Sequence, residues 1–301
     1  MDWVTGLQRA IDYMEEHLTD ELDYEKIASV AYCSSFHFQR VFGILSGYTL
    51  GEYIRNRRLS LAGSELLQTD IRVMDLALKY GYESPDSFTK AFARFHGITP
   101  IEARRHGAAL KSFSRLSLQV LLKGGHDMRY RLEEKPAMVF TGYKRRFKGI
   151  PGERSQQEGD FFCSTRTNQY ILHGLAWDDE TTYCIVDNIE DDGYDFAIAV
   201  LLEEKARLRV AKGDYGTLEP EERRRFQEIA VPAATYAVFE TGRSQYPTQE
   251  HLELRRQAVM EWLPSSGYEL AQAPEIEVSH WSHDKDQRYI ELWMPVCRSD
   301  R

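Results

Sequence analysis

The sequence predicts a multi-domain protein: an all-α N-terminal domain with two helix-turn-helix units over residues 1–110, followed by an α+β domain over 111–301. Three observations predict it. "SSFHFQRVFGILSGYT" (34–49) is echoed fifty residues later by "SPDSFTKAFARFHGIT" (84–99), with Phe38 matching Phe88, Phe42 matching Phe92, Gly47 matching Gly97 and Thr49 matching Thr99. After Arg105 the apolar periodicity changes from helical to alternating. At 301 residues and 42 % hydrophobic content, the chain is long enough to bury two cores.

Each copy of the repeat reads as a helix. Phe38, Val41, Phe42 and Leu45 recur at i, i+3, i+4 and i+7 before Gly47, and Phe88, Ala91, Phe92 and Phe95 do the same before Gly97. Ser34 and Ser84 stand as N-caps, and Pro85 falls where a first helical turn tolerates it. A short helix precedes each copy, "YEKIASVA" (24–31) and "VMDLALKYG" (73–81), and two short helices with a tight turn make a helix-turn-helix. Between the units runs a third helical pattern, 50–68, with Tyr53, Ile54, Leu59, Leu61, Leu66 and Leu67 apolar. Taken as about 18 residues at roughly 1.5 Å each, it is a rod of about 27 Å. That is of the order of the roughly 34 Å between successive major-groove openings on one side of B-DNA, so a single chain can set two readers on one duplex.

The polar faces of the second helices are the readers' surfaces: Ser35, Phe36, Gln39 and Arg40 in the first, Asp86, Ser87 and Lys90 in the second. Gln and Arg make the bidentate contacts that read adenine and guanine edges, while Ser and Lys serve bases or phosphates. The plainer alternative is two solvated helix faces in an ordinary all-α domain. A net charge of −9 argues against indiscriminate nucleic-acid binding without excluding specific binding. Residues 1–110 hold 12 Lys and Arg against 15 Asp and Glu, but the acids crowd into 15–25 whereas Arg40, Arg55, Arg57, Arg58, Lys90 and Arg94 fall in or beside the repeats. A basic stripe is therefore compatible with an acidic back.

Residues 7–106 resemble the DNA-binding domain of the AraC/XylS transcription regulators. The motifs I-A (27–28), S-x-x-x-F-x-R-x-F (34–42), G-x-T (47–49), R-R-L-x-x-A (57–62), L-A (76–77), G-Y-x-S-x-x-S-F-x-K-x-F (81–92) and G-I-T-P (97–100) follow the family's order and spacing. The resemblance implies Phe36, Gln39 and Arg40 as base-side residues of the first helix, with Pro85, Asp86, Ser87 and Lys90 in the corresponding places of the second. Asp86 departs from the pattern, since a carboxylate there suits only a cytosine amino group or repels phosphate.

In the second domain, strands are predicted at 182–187, 194–203, 235–241, 275–281 and 288–296, with further short strands across 116–147 around Gly124, Gly125 and Pro136. Helices are predicted at 155–172 and 248–263. In the last strand Ile290, Leu292, Met294 and Val296 share an apolar face, while Tyr289, Glu291 and Trp293 share the other. A carboxylate between two aromatics is costly if buried unpaired. Either that face meets solvent, or it walls a pocket for a cationic or amphipathic small molecule. Trp177, Tyr194, Phe196, Trp262 and Tyr268 supply further candidate rings, as does Tyr236.

"IAVPAATYAVFETG" (229–242), "EWLPSSGYELAQAPEIEV" (261–278) and "YIELWMPV" (289–296) resemble the GyrI-like effector-binding domain, across roughly residues 112–298. The resemblance implies tandem strand-helix-strand-strand units around a cleft, with Glu291 as the ligand carboxylate and Trp262, Tyr268 and Trp293 near it.

Other signals are weak. The cysteines, Cys33, Cys163, Cys184 and Cys297, form no C-x-x-C pair and read as free thiols. His280 and His283 are three apart at a strand end, so they face opposite ways and suggest no metal. Ser164, His173 and Asp178 lack a nucleophile motif, and no phosphate loop occurs, so no cofactor is expected. No apolar run reaches the roughly 20 residues of a membrane helix and the start lacks a signal-peptide pattern, so the cytoplasm is expected. The expected function is a non-enzymatic transcription regulator binding double-stranded promoter DNA and a small-molecule effector, with RNA polymerase as a further partner and no membrane. The alternative is a GyrI-like hydrolase or sequestering protein with a vestigial DNA-binding domain.

Overall fold

The computed structural model describes residues 3–105, 108–118, 128–151, 155–178, 180–212 and 226–299. The chain divides into two compact units, Met1–Leu122 and Lys123–Arg301.

The regular elements of the first unit are all helices: α1 Trp3–Glu16, α2 Tyr24–Val30, α3 Ser35–Ser46, α4 Leu50–Gln68, α5 Val73–Lys79, α6 Pro85–His96 and α7 Pro100–Ala103. The repeat is carried by identical capping chemistry. Ser34 Oγ accepts from His37 N at 3.2 Å, and Ser84 Oγ accepts from Ser87 N at 3.2 Å. Each repeat helix, α3 and α6, then ends on a glycine in the left-handed region, Gly47 at φ 80° and Gly97 at φ 84°, which a Cβ disfavours. Two residues later Thr49 and Thr99 each close a capping box, with Glu52 and Glu102, and start the next helix. Two small cores follow. Phe38, Phe42, Leu50 and Tyr53 pack with α1 and α2 around the first unit, and Leu66, Leu76, Phe88 and Phe92 pack around the second.

Residues 108–118 form no regular element. They lie along the helices as a strap, anchored at four backbone amides to side chains distant in sequence. Lys111 N donates to His96 Nδ1 (3.2 Å), Phe113 N to Ser60 Oγ (2.9 Å), Leu116 N to Tyr53 Oη (3.2 Å) and Leu118 N to Gln8 Oε1 (3.2 Å). The strand expected to begin at 116 is absent over 116–118, because these amides are satisfied by side chains rather than by a neighbouring strand.

The second unit is a sheet in the order β1-β6-β9-β8-β3-β4-β2-β5, with β7 added beside β9. Its strands are β1 Tyr130–Lys135, β2 Met138–Phe147, β3 Thr181–Glu190, β4 Gly193–Val200, β5 Gln227–Val231, β6 Ala234–Glu240, β7 Tyr268–Leu270, β8 Glu275–His280 and β9 Tyr289–Arg298. Among the described residues its α-helices are α8 Ser155–Ser164, α9 Arg166–Ala176, α10 Glu204–Ala211 and α11 Thr248–Gln257, the last running on through a π-turn, Ala258–Trp262, into α12 Leu263–Ser266. The tandem plan is visible in the order: β2-α8-α9-β3-β4 is one strand-helix-strand-strand unit and β6-α11-β8-β9 the other. The two meet where β3 pairs antiparallel with β8, Ile185 opposite Ile276.

Strand alternation gives the sheet two distinct faces. One is covered by helices: Tyr143, Phe147, Cys184, Tyr194 and Phe196 pack under Phe161 and Leu172. The other is a core made of strand residues alone, Phe140, Ile185, Tyr236, Val238, Ile276, Val278 and Trp293. Glu291 lies on this second face.

Candidate functional site

The two reader helices differ in what they leave open. In α6, Pro85, Asp86, Ser87 and Lys90 are all exposed, and Arg94 continues their side of the helix. In α3, Phe36 and Gln39 are half-buried, while Ser35 and Arg40 are each only 8 % exposed. Gln39 Nε2 donates to Ser35 Oγ at 3.1 Å. The expectation that Ser35 and Arg40 stand on a solvent face is corrected: α3 is buried around most of its circumference, with His37, Val41, Gly43 and Ile44 also inside, so of its four expected reader residues Phe36 and Gln39 alone are half-buried rather than buried.

On the strand-only face of the second unit, β9 contributes Glu291 (7 % exposed), Trp293 and Tyr289. Register aligns partners on the neighbouring strands. Val278 of β8 stands opposite Glu291 and His280 opposite Tyr289, while Val238 of β6 stands opposite Trp293 on one side and Arg131 on the other. Glu291 Oε1 accepts from Arg131 Nη2 at 2.7 Å, and Glu291 Oε2 accepts from Trp293 Nε1 at 2.7 Å. Lys135 Nζ lies 4.1 Å from the centroid of the Trp293 ring, and Tyr236 and Tyr183 flank that ring at 6.0 and 6.2 Å. Arg243 covers Tyr289 at 3.4 Å, and His280 stacks on its ring at 4.1 Å. His280 Nε2 is buried with no hydrogen bond, 3.9 Å from Glu291 Oε1.

The electrostatics follow from burial and pairing. Burial pushes the His280 pKa down from its ordinary value, and this outweighs the pull of Glu291, so the ring stays neutral. Arg131 is raised: burial opposes its charge, but hydrogen bonds to Glu133 and Glu291 prevail. Lys135, then Arg131, hold Glu133 below the usual carboxylate range against the opposing effect of burial.

Five of the predicted ring residues are not with Glu291. Trp262 and Tyr268 stack on each other at 6.2 Å beside Phe239, which pairs with Leu292 and so shares the opposite face. Tyr194 and Phe196 belong to the helix-covered core, Phe196 being adjacent in β4 to Ala197 of the strand-only face. Trp177 ends α9 in the left-handed region and is 92 % exposed. For Tyr194 and Phe196 the physical reason is alternation, which turns them to the helix-covered face of β4, whereas Trp177 and Trp262 belong to helical segments rather than to a strand.

Two family models match the chain. One, described as a helix-turn-helix domain, covers residues 27–106, and the other, described as an integron-associated effector binding protein, covers residues 131–296, more than half of the chain. The regulatory protein SoxS of Salmonella typhimurium is 37 % identical over 98 residues, which are 33 % of this chain and 92 % of SoxS. The chain belongs to the AraC family, with an integron-associated, GyrI-like effector-binding domain. The uncharacterized regulator YbfP of Bacillus subtilis is 38 % identical over 100 residues, 33 % of this chain and only 34 % of YbfP, so the chain spans about a third of that relative. The solved structure of SAV2435 bound to tetraphenylphosphonium aligns over 56 % of this chain and 94 % of its own, with 18 % identity and a TM-score of 0.42.

In this AraC-family chain the repeat marked α3 and α6, and strand alternation put Glu291, Trp293 and Tyr289 on one face. Arg131, Glu133 and Lys135 were missed. Their signal was present in "YRLEEK", an alternating charged strand, but only the sheet order brings β1 within reach of β9 across β6.

Proposed function

We propose that this AraC-family chain is a cytoplasmic transcription regulator that reads promoter DNA with α3 and α6 and binds a small organic cation at Glu291 and Trp293. In this reading, occupancy of the second domain alters how the first engages DNA or RNA polymerase. The observation that carries it is the duplicated capping frame, Ser34 to Gly47 and Ser84 to Gly97, on either side of a 19-residue helix α4. At about 1.5 Å per residue that helix is about 28 Å long, which suits two adjacent major-groove openings. The effector half is supported by a buried carboxylate framed by an indole and two tyrosines, which suits a cation with aromatic surface. The test is selection of bound sequences from random duplex DNA with the full-length protein at physiological salt. One asymmetric site with two informative blocks about one helical turn apart is expected; recovery of nothing above background refutes the DNA-reading half.

A further inference from the structure

Glu291 is already satisfied. One oxygen takes Arg131 and the other takes the Trp293 indole N–H, while the face of that indole is covered by Lys135. Both cations come from β1, the strand at one end of the sheet, where alternation turns Arg131, Glu133 and Lys135 to the same side. A carboxylate this buried needs a partner whenever nothing else is bound, and Arg131 supplies it. The same cations also have other carboxylates to hold. Arg131 engages Glu133 and Glu240, and Lys135 engages Glu133. Glu133 and Glu240 are more open than Glu291, their side chains being 29 % and 37 % exposed against 10 %. Either cation can therefore leave the site without being stranded unpaired.

We propose that Arg131 and Lys135 are resident stand-ins for the effector, occupying the carboxylate and the ring face of the empty site and moving onto Glu133 and Glu240 when a guest cation enters. The inference rests on the reading of Glu291 and Trp293 as the effector site, and it narrows the class of guest. A guest exchanges one cation for another at Glu291, so charge alone gains it little. Its advantage must come from apolar surface laid against Trp293, Tyr236 and Tyr183. The site thus selects lipophilic aromatic cations over small hydrated amines.

The test is calorimetric titration of the full-length protein with tetraphenylphosphonium, a bulky monocation without an N–H donor, with ethylammonium as the small cation of equal charge. Arg131→Gln should bind tetraphenylphosphonium about tenfold more tightly than the parent, the factor by which a site closed roughly nine times in ten lowers apparent affinity. Lys135→Gln should also bind more tightly, and Glu240→Gln more weakly, because the displaced guanidinium loses a partner. Glu291→Gln should bind more weakly, and ethylammonium far more weakly than the probe throughout. Weaker binding by Glu291→Gln, with Arg131→Gln and Lys135→Gln no tighter than the parent, overturns the stand-in role and leaves the site reading intact. No binding by the parent or any variant overturns the site reading, and the stand-in role with it. Should Arg131→Gln fail to fold, Lys135→Gln decides, since it leaves the Arg131–Glu291 pair in place. Ethylammonium binding as well as the probe overturns the ligand class.

Discussion

Replacing Glu15 with alanine should cost the first domain about 3–5 kcal/mol, the range for removing one partner of a buried ion pair. Glu15 accepts from Arg57 Nε at 2.8 Å, from Arg57 Nη2 at 2.7 Å and from Tyr53 Oη at 2.7 Å, and the Arg57 and Glu15 side chains are only 12 % and 8 % exposed. Arg57 Nη1 also holds the Phe113 carbonyl, and Tyr53 Oη receives Leu116 N–H, so one carboxylate fixes α1, α4 and the strap together. Without it the guanidinium keeps a single backbone acceptor and the tyrosine hydroxyl loses its own. The measurement is hydrogen exchange resolved by peptide, which separates the two domains: protection should fall through α1, α4 and 113–118 while the sheet domain is unchanged. The pH dependence has a definite sign. Burial alone raises the Glu15 pKa, but hydrogen bonds from Arg57 and Tyr53 outweigh it and leave the carboxyl below its ordinary value of 4.5. Its contribution is therefore complete above that value and is lost as pH falls through the lower folded pKa. A loss under about 1 kcal/mol would refute the reasoning, because it would mean the triad is solvated like a surface pair.

Other expectations are as direct. His96, buried with Nδ1 accepting from Lys111 N and Nε2 facing the Leu59 carbonyl, is held below its ordinary 6.5 chiefly by burial. The unfolded chain then binds the extra proton, so the first domain should lose stability as pH falls below about 6.5, and His96→Gln should flatten that slope in thermal melts. Arg255 pairs with Glu275 at 2.8 Å with side chains 6 % and 7 % exposed; Arg255→Ala should cost the second domain about 3–5 kcal/mol in denaturant melts, with much of it regained in a volume-matched apolar pair. Lys90→Ala should lower the salt dependence of operator binding by about 0.9 in log–log slope if its partner is a phosphate, read by anisotropy titrations at several salt concentrations. Asp86→Asn should tighten binding in the same assay.

The first domain was legible because its signals are local. Ser34, Phe38, Phe42, Gly47 and Thr49 lie within sixteen residues, and each acts through helix period or capping, so a second copy at 84–99 confirms the first before any tertiary contact is considered. The bounds read for the spacer, 50–68, are those observed. The strap at 108–118 has no period at all: its order comes from single hydrogen bonds to residues as distant as Gln8, and no local pattern announces them. In the second domain, alternation sorted β9 correctly into an apolar side and the side of Glu291. The companions of Glu291 were hidden because β1, β6 and β9 are far apart in sequence, and which strand neighbours which is a property of the sheet.

The duplicated frame also separates backbone from readout. Identical caps at Ser34 and Ser84, and at Gly47 and Gly97, place two helices of equal length in equivalent units. The side chains between them diverge: of the residues expected to read DNA, α3 leaves only Phe36 and Gln39 half-buried, whereas α6 exposes Pro85, Asp86, Ser87 and Lys90, with Arg94 beside them. A half-buried aromatic beside an amide favours thymine methyl and adenine contacts, while an exposed lysine and arginine favour phosphate or guanine. Gln39→Ala should therefore cost about 1–3 kcal/mol at one or two base pairs and leave the rest of the site alone. Removing Lys90 or Arg94 from α6 should instead lower affinity broadly. Equal, uniform losses from both helices would mean that the two units read DNA alike and that their different exposure has no bearing on recognition.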